Sequence, residues 1–542
     1  MKKLSVILLV LLVSLFLIVS CGDSKGNETN TNQTDNTQTD NQTDAPIQTG
    51  DTAQVGSETE TVAPETTVPV VPADKVETFK IDGVDLSKYI IFALDEIEEG
   101  EALVETISEM LDINVRTASG TTLPEDDGTR WIVLDRQSYA YQDWSMKVED
   151  GNLHIRGSFR SFAKALEHFE SYLTGERGAD VNITSAHNIE GKIDKVTPLY
   201  STKEELLAIY QYAMDTNNTI YGEHLGGPYS IATLEEAIRE RAGDGPSILD
   251  VDMIGFYLGN YTRSMISQIV CEALEFSAKG GIITTFCHWQ NPNEKTRNTI
   301  YRGSIGSKEL WTSVLTDGTE FNLKWKEQLD YNAEVYQAWK DAGLPVTFRP
   351  MLEANTPSFW WAALNSGCIL TGDDLRDMWN YVYDYYVNDL GLDNMLWTYS
   401  PNAVKGGGPA DTTFYYPGDD KCDLVGIDWY IDQSMSRNLA DGYGYQEVLA
   451  YGKPTGLCEW GVTGNLSDTY HPGGVAKSFS CQELVDIIYL AKESGMTVAF
   501  LETYSTYFGS AAWLPKAEAL NSADGVILLD DMPAFIAKAL GK

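Results

Sequence analysis

Two glutamates, Glu353 and Glu459, stand among residues suited to proton and carbon chemistry. Glu353 lies in Pro345–Trp361, PVTFRPMLEANTPSFWW, where the apolar run Val346–Phe348 stops at Arg349-Pro350 and the aromatic cluster Phe359-Trp360-Trp361 follows. Alternation and a flanking proline read as a buried strand running into a loop. A carboxylate just past a strand end, beside an arginine and flat rings, suits a sugar-cleaving site: the carboxylate handles protons and the rings offer an apolar face to a pyranose. The same pattern also describes a core strand with a capped loop and packed aromatics, and this stretch alone does not separate the two readings. Glu459, in KPTGLCEWG, repeats the strand-end placement. A retaining glycosidase needs two carboxyl groups roughly 5–5.5 Å apart, one protonated to donate to the leaving oxygen and one ionised to attack the anomeric carbon. Period-2 alternation predicts that if Glu459 faces such a site, Cys458 faces away, against a helix.

The elements that must position these groups alternate from about residue 197 onward. Strands are predicted at Thr219–Gly222, Ile248–Tyr257, Gly281–Cys287, Val346–Arg349, Met395–Thr398, Leu424–Trp429, Pro454–Glu459 and Val498–Glu502. Amphipathic helices are predicted between most of them, among them Tyr261–Ala278, Leu323–Ala342, Asp373–Leu390 and Gln482–Ser494. Eight strands with intervening helices fit an α/β fold, a (β/α)8 TIM barrel over 197–542, whose active site would lie at the C-terminal strand ends. The alternative is a doubly wound open sheet, but no glycine-rich phosphate loop follows the first strand. On the barrel reading, His288, Trp289, Arg349, Glu353, Tyr430, Glu459 and Glu502 all fall near strand ends on one face.

Upstream, residues 78–196 read as a small α+β accessory domain. Its predicted strands are Tyr89–Leu94, Trp131–Leu134, Trp144–Val148 and Leu153–Ile155, the last two joined by a tight turn at Asp150-Gly151. Its helices are predicted at Ala102–Leu111 and Phe159–Leu173, the second capped by Ser158. Residues 22–77 hold no aromatic residue, are dense in Thr, Asn, Gln and Asp, and read as an unstructured tether. Its reach is roughly 40 Å. Residues 1–21 read as an export signal, with Lys2-Lys3 ahead of an apolar run. That run ends in Ile18-Val19-Ser20-Cys21-Gly22, which closely resembles the lipobox of bacterial lipoproteins. The resemblance implies diacylation of Cys21 and a protein held on the extracellular face of the cell membrane. A net charge of -40 and a pI near 4.4 argue against a nucleic-acid partner. The seven cysteines form no CxxC pair and no His/Cys set with metal-ligand spacing. Cys271, Cys287 and Cys458 read as buried small hydrophobes, and a disulfide among the others stays open.

RPMLEANTPSFWW, with HWQNP before it and GIDWY and KPTGLCEWG after it, resembles glycoside hydrolase family 26, mostly endo-β-mannanases on retaining (β/α)8 barrels. The resemblance implies Glu353 as acid/base and Glu459 as nucleophile. It places His288, Trp289, Arg349, Asn355, Phe359, Trp360 and Tyr430 in substrate binding, with Arg349 gripping a carboxylate and Tyr430 orienting the nucleophile. No cofactor, no metal and no obligate protein partner are expected. The chain departs from the family where Leu352 replaces a histidine and Ser358 replaces a tryptophan that stacks on the acceptor-side sugar. The eighth strand also lacks an expected tryptophan. The leading expectation is a cell-surface endo-β-glycanase working by double displacement on β-mannan or glucomannan, then mixed-linkage β-glucan, then β-1,3-xylan. An inactive carbohydrate-binding lipoprotein on a glycosidase barrel is the alternative that Leu352 and Ser358 motivate. A metal-dependent hydrolase would instead need His224, His288 and Asp252 to meet.

Overall fold

The computed structural model describes residues 78–542 other than 96, 126, 175–179, 226–228, 295–302, 366, 404–409, 432–433, 463–478, 505–509 and 513. The expected signal, its Cys21 and the tether over 22–77 lie outside the described residues.

Eight parallel strands close into a barrel: β1 (Thr219–His224), β2 (Ile248–Asp252), β3 (Ile282–Phe286), β4 (Val346–Arg349), β5 (Met395–Tyr399), β6 (Leu424–Ile431), β7 (Thr455–Val462) and β8 (Phe500–Thr503). They pair in chain order, and β8 and β2 both pair with β1, which completes the ring. The strands read as short apolar runs because the barrel interior covers one face and the helix ring covers the other. Val346–Arg349 is buried at every position. The longest helix, α1 (Glu320–Ala342), shows how the ends are set. Thr319 accepts the Asn322 N–H at its start, and Gly343, at φ 78°, closes it in the left-handed region.

The predicted strand Ile248–Tyr257 is too long. It ends at Asp252, whose carboxylate accepts the Ile254 N–H at 3.1 Å and starts a short helix, Ile254–Leu258. The predicted helix Asp373–Leu390 is α-helical over Gly372–Tyr383 and continues as a π-helix over Asp384–Asp389.

The accessory module is a six-stranded sheet in the order Arg116–Gly120, Tyr89–Leu94, Arg130–Ser138, Asn152–Ser158, Asp143–Glu149, Ile189–Lys192. Helices Glu99–Leu111 and Phe162–Leu173 bury Leu103, Ile107, Phe162 and Phe169 against Ile91, Ile132, Leu134 and Ile155. Asp150 and Gly151 both take positive φ (49° and 76°), as a two-residue hairpin turn with right-handed strand twist requires. Ser158 is not the helix cap. It ends its strand, its hydroxyl accepting the Ser161 N–H at 3.1 Å, and the helix starts only at Phe162.

The module is fastened to the barrel helix Arg263–Ala278. Ser267 Oγ donates to the Ser138 carbonyl at 2.6 Å and accepts the Phe159 N–H at 2.9 Å. Arg160 grips Glu275 with two bonds of 2.6 and 2.7 Å. All six described cysteines are buried and unpaired, so no disulfide links them.

Candidate active site

The backbone at Glu353 is forced. Past β4 the chain turns at once, and Glu353 adopts φ 47°, a left-handed conformation rare for a residue with a long side chain. Such strain costs about 1–3 kcal/mol and persists only where surroundings over-determine it. Here the Glu353 N–H donates to the Ser400 carbonyl at 2.9 Å, its own carbonyl accepts from Thr356 N and Oγ1, and Trp361 Nε1 donates to the Leu352 carbonyl at 3.0 Å. The effect is to aim one carboxyl into the barrel mouth. Burial, reinforced by the negative charge of Glu459, pushes the Glu353 pKa up to about 7. Among the described residues its carboxyl accepts one bond, from Asn402 Nδ2 at 2.6 Å.

Glu459 arrives by a different device. Along β7, Leu457 faces Ile427 and Glu459 faces Asp428, so Cys458 is an extra residue without a partner. On the other side, Leu457 and Trp460 face Leu501 and Thr503, three steps of chain against two. This one-residue bulge breaks the period-2 alternation. The expectation that Cys458 turns outward therefore fails. Its thiol lies beside Ser400 and against Gly426, where an added Cβ would come within 2.5 Å of the sulfur. Cys458 and Glu459 both turn toward the barrel interior. Tyr430 donates its hydroxyl to Glu459 Oε2 at 2.7 Å, and Arg349 Nη1 donates to Oε1 at 3.1 Å. Carboxylate oxygens of Glu353, Asp428 and Glu459 lie within 4.8 Å of one another.

Beneath them sits a charge cluster organised by Arg349. Its guanidinium bonds Asp250 at 2.9 Å, Glu459 at 3.1 Å, Ser400 at 3.2 Å and Asp428 at 3.3 Å. Glu502 is held nearby by Thr284 at 2.8 Å. One cation cannot neutralise four buried carboxylates, so protons must make up the difference. Burial pushes Asp428 and Glu502 well above the usual carboxylate range and raises Asp250 as well. His224, 3.0 Å from Asp250, is neutral: burial and then the Arg349 charge lower its pKa to about 3.

The remaining expected residues divide into two sets. His288 faces both carboxyls, and Phe359 packs against it, the rings 5.5 Å apart. Burial lowers the His288 pKa, but Asp252, 2.7 Å from Nδ1, outweighs it and holds the pKa above the ordinary value. Phe359 stacks on Trp361 at 4.6 Å, nearly parallel.

Trp289, Trp360 and Asn355, expected at the substrate, are instead wholly buried at 0% exposure. Trp289 Nε1 donates to the Pro350 carbonyl and Trp360 Nε1 to the Trp289 carbonyl, and both rings pack edge-on against Trp325. They form the wall behind β4, because their apolar area is covered by α1 rather than offered to a sugar. Asn355 has both ends of its amide bonded to backbone groups of the loop after β5. Arg349 is 2% exposed and gives its Nη donors to carboxylates, so it supports the site from below rather than touching substrate.

Sequence reading missed Asn402, Ser400 and Asp250. Asn402 and Ser400 stand in Ser400-Pro401-Asn402 just past β5, where proline marks the strand end, and that position was the available signal. The possible metal set divides between two pairs, His288 with Asp252 and His224 with Asp250.

A family model described as glycosyl hydrolase family 26 matches residues 196–470. The mannan endo-1,4-beta-mannosidase A and B of Caldalkalibacillus mannanilyticus is 28% identical over 308 residues, 55% of this chain and 56% of that protein. A mannan endo-1,4-beta-mannosidase of Bacillus subtilis is 27% identical over 271 residues, 47% and 69% of the two chains. The match thus spans about half to two-thirds of the length of these relatives. The solved structure of Bacillus subtilis mannanase man26 is 21% identical, at a TM-score of 0.48 over 61% of this chain and 95% of that one. With the model's match running from the start of the barrel through the β7 glutamate and over half of all residues, this chain belongs to glycosyl hydrolase family 26.

Proposed function

We propose that the barrel is a retaining endo-β-glycanase that hydrolyses β-1,4-mannan-type polysaccharide by double displacement. The observation that carries the proposal is the close approach of the two carboxyl groups, with oxygens within 4.8 Å. Inverting enzymes hold theirs roughly 6.5–9.5 Å apart to admit a water between them. In the first step Glu459 attacks the anomeric carbon while Glu353 gives its proton to the leaving glycosidic oxygen. In the second, Glu353 takes a proton from water, and that water displaces Glu459 from the sugar. The roles follow from surroundings: burial and the Glu459 charge push the Glu353 pKa up to about 7, which suits a proton donor, whereas Glu459 accepts from Arg349 and Tyr430, which fix its carboxyl toward the anomeric carbon. Mannan leads because the relatives carry that name. Mixed-linkage β-glucan and β-1,3-xylan follow, since Leu352 and Ser358 alter the residues flanking the acid/base. Attachment to the outer face of the membrane through Cys21, with the 22–77 tether as spacer, belongs to the same proposal.

A panel of purified polysaccharides with mass-spectrometric product sizing tests it. Short oligosaccharides of mixed length from mannan or glucomannan are expected. Tight binding with no release of oligosaccharide from any β-glycan would leave a binding protein instead. Run on whole cells, the same assay should show cell-attached activity that passes to the medium in a Cys21→Ala variant. Activity released equally from both would remove the anchor.

A further inference from the structure

Glu353 is held by a residue 49 positions away. Asn402 Nδ2 donates to its Oε1 at 2.6 Å, with no second side-chain bond to that carboxyl among the described residues. Asn402 is itself pinned. Its backbone bridges to Asp428 of β6, flanked by Asp428 N to the Pro401 carbonyl at 3.0 Å and Ala403 N to the Asp428 carbonyl at 2.9 Å. Asn355 then closes on it from the opposite side. Asn355 Oδ1 accepts the Asn402 N–H at 2.8 Å, and its Nδ2 donates to the Asn402 and Ala410 carbonyls at 2.9 and 3.0 Å. Asn355 lies two residues beyond Glu353, so the acid/base and the clamp on its partner come from one turn of chain.

We propose that Asn402, clamped by Asn355, is a positioning residue that fixes the Glu353 carboxyl and directs its proton to Oε2. This rests on the reading of Glu353 as the acid/base. An amide N–H can only donate, so Oε1 must accept in either protonation state. The acid proton is then confined to Oε2, the oxygen left free for the glycosidic bond. The same bond favours the carboxylate and opposes burial and the Glu459 charge, which prevents the proton from being held too tightly to transfer. The other charged and titratable groups facing Glu353 are His288 after β3, Arg349 of β4, Tyr415 after β5, and Asp428 and Tyr430 of β6. Only Asn402 hydrogen-bonds the carboxyl directly among the described residues.

The test is the pH profile of kcat/KM for Asn402→Ala, Asn402→Asp and Asn355→Ala, on polysaccharide and on an aryl glycoside with a good leaving group. In the parent enzyme the alkaline limb is expected at about 7, where Glu353 loses its proton. In Asn402→Ala the limb should rise by about one unit, the effect of losing one hydrogen bond to a charged group. Asn402→Asp, placing oxygen against oxygen, should raise it further. Polysaccharide cleavage should fall about tenfold in both while glycosylation by the aryl glycoside is kept, since that leaving group needs no acid. Asn355→Ala should reproduce the shift without touching Glu353. If it does not fold, the two Asn402 variants carry the test. An unmoved limb in an active, folded Asn402→Asp enzyme overturns the proposal alone. A parent enzyme with no hydrolytic activity would overturn it together with the acid/base reading.

Discussion

Glu459→Gln is expected to lower kcat/KM on polysaccharide by at least about 10³-fold, and Glu353→Gln by about 10²–10⁴-fold. The two should differ in kind. Without Glu459 there is no nucleophile, so polysaccharide and activated aryl glycosides fail alike. Without the Glu353 proton, a natural glycosidic oxygen is a poor leaving group, but a phenolate departs unaided. In Glu353→Gln the aryl glycoside should still glycosylate Glu459 and then stall, because no base activates water, and added azide should restore turnover. Steady-state kinetics on both substrate types, with a thermal melt to show that the variants are folded, checks this. Activity within tenfold of the parent for either variant would sink the assignment. The two isosteric changes leave the Arg349 and Asn402 bonds a partner, so folding is expected to survive both.

Arg349→Met should cost about 3–5 kcal/mol of folding stability and abolish activity. Arg349 is 2% exposed and is the cation shared by Asp250, Asp428 and Glu459. A methionine of similar length removes the charge and leaves three carboxylates facing each other in low dielectric. Asp250 and Asp428, whose folded-state pKa values burial already raises, lose the one charge that opposes that rise and must go higher still. A group raised in this way contributes stability that is present at low pH and lost as pH rises. The deficit should therefore be largest at neutral pH and shrink as pH falls toward the ordinary carboxylate range, about 4. Urea denaturation at both pH values reads it. A loss below about 1 kcal/mol at neutral pH, the scale of an exposed ion pair, would show that the cluster is not organised by this residue.

The strand framework was legible because its signals are local. Val346–Arg349 shows as an apolar run cut by Pro350, and Asp150-Gly151 shows as a hairpin by the φ values its residues tolerate. The two glutamates were legible as strand-end carboxylates on one face of a barrel. What was not legible depends on three-dimensional closure. Period-2 reasoning assumes an unbroken ladder, and nothing in LCEW signals that Cys458 is an inserted residue. Trp289 and Trp360 have the composition of a sugar platform, yet α1 crosses over them, and which face a ring presents is decided by that packing. Arg349 was expected to grip one carboxylate and grips three, because β2, β6 and β7 bring theirs to the same point. Asn402 binds across 49 residues, a distance over which a single sequence carries no pairing signal.

Two displacements at one anomeric carbon retain its configuration, and the stereochemistry of the first-formed product reads that directly. Proton NMR of early hydrolysis of mannan or manno-oligosaccharide is expected to show the β-anomer first, with the α-anomer growing only as mutarotation proceeds. An initial burst of the α-anomer would mean a single displacement by water. It would contradict the assignment of Glu459 as nucleophile, however close the two carboxyl groups stand.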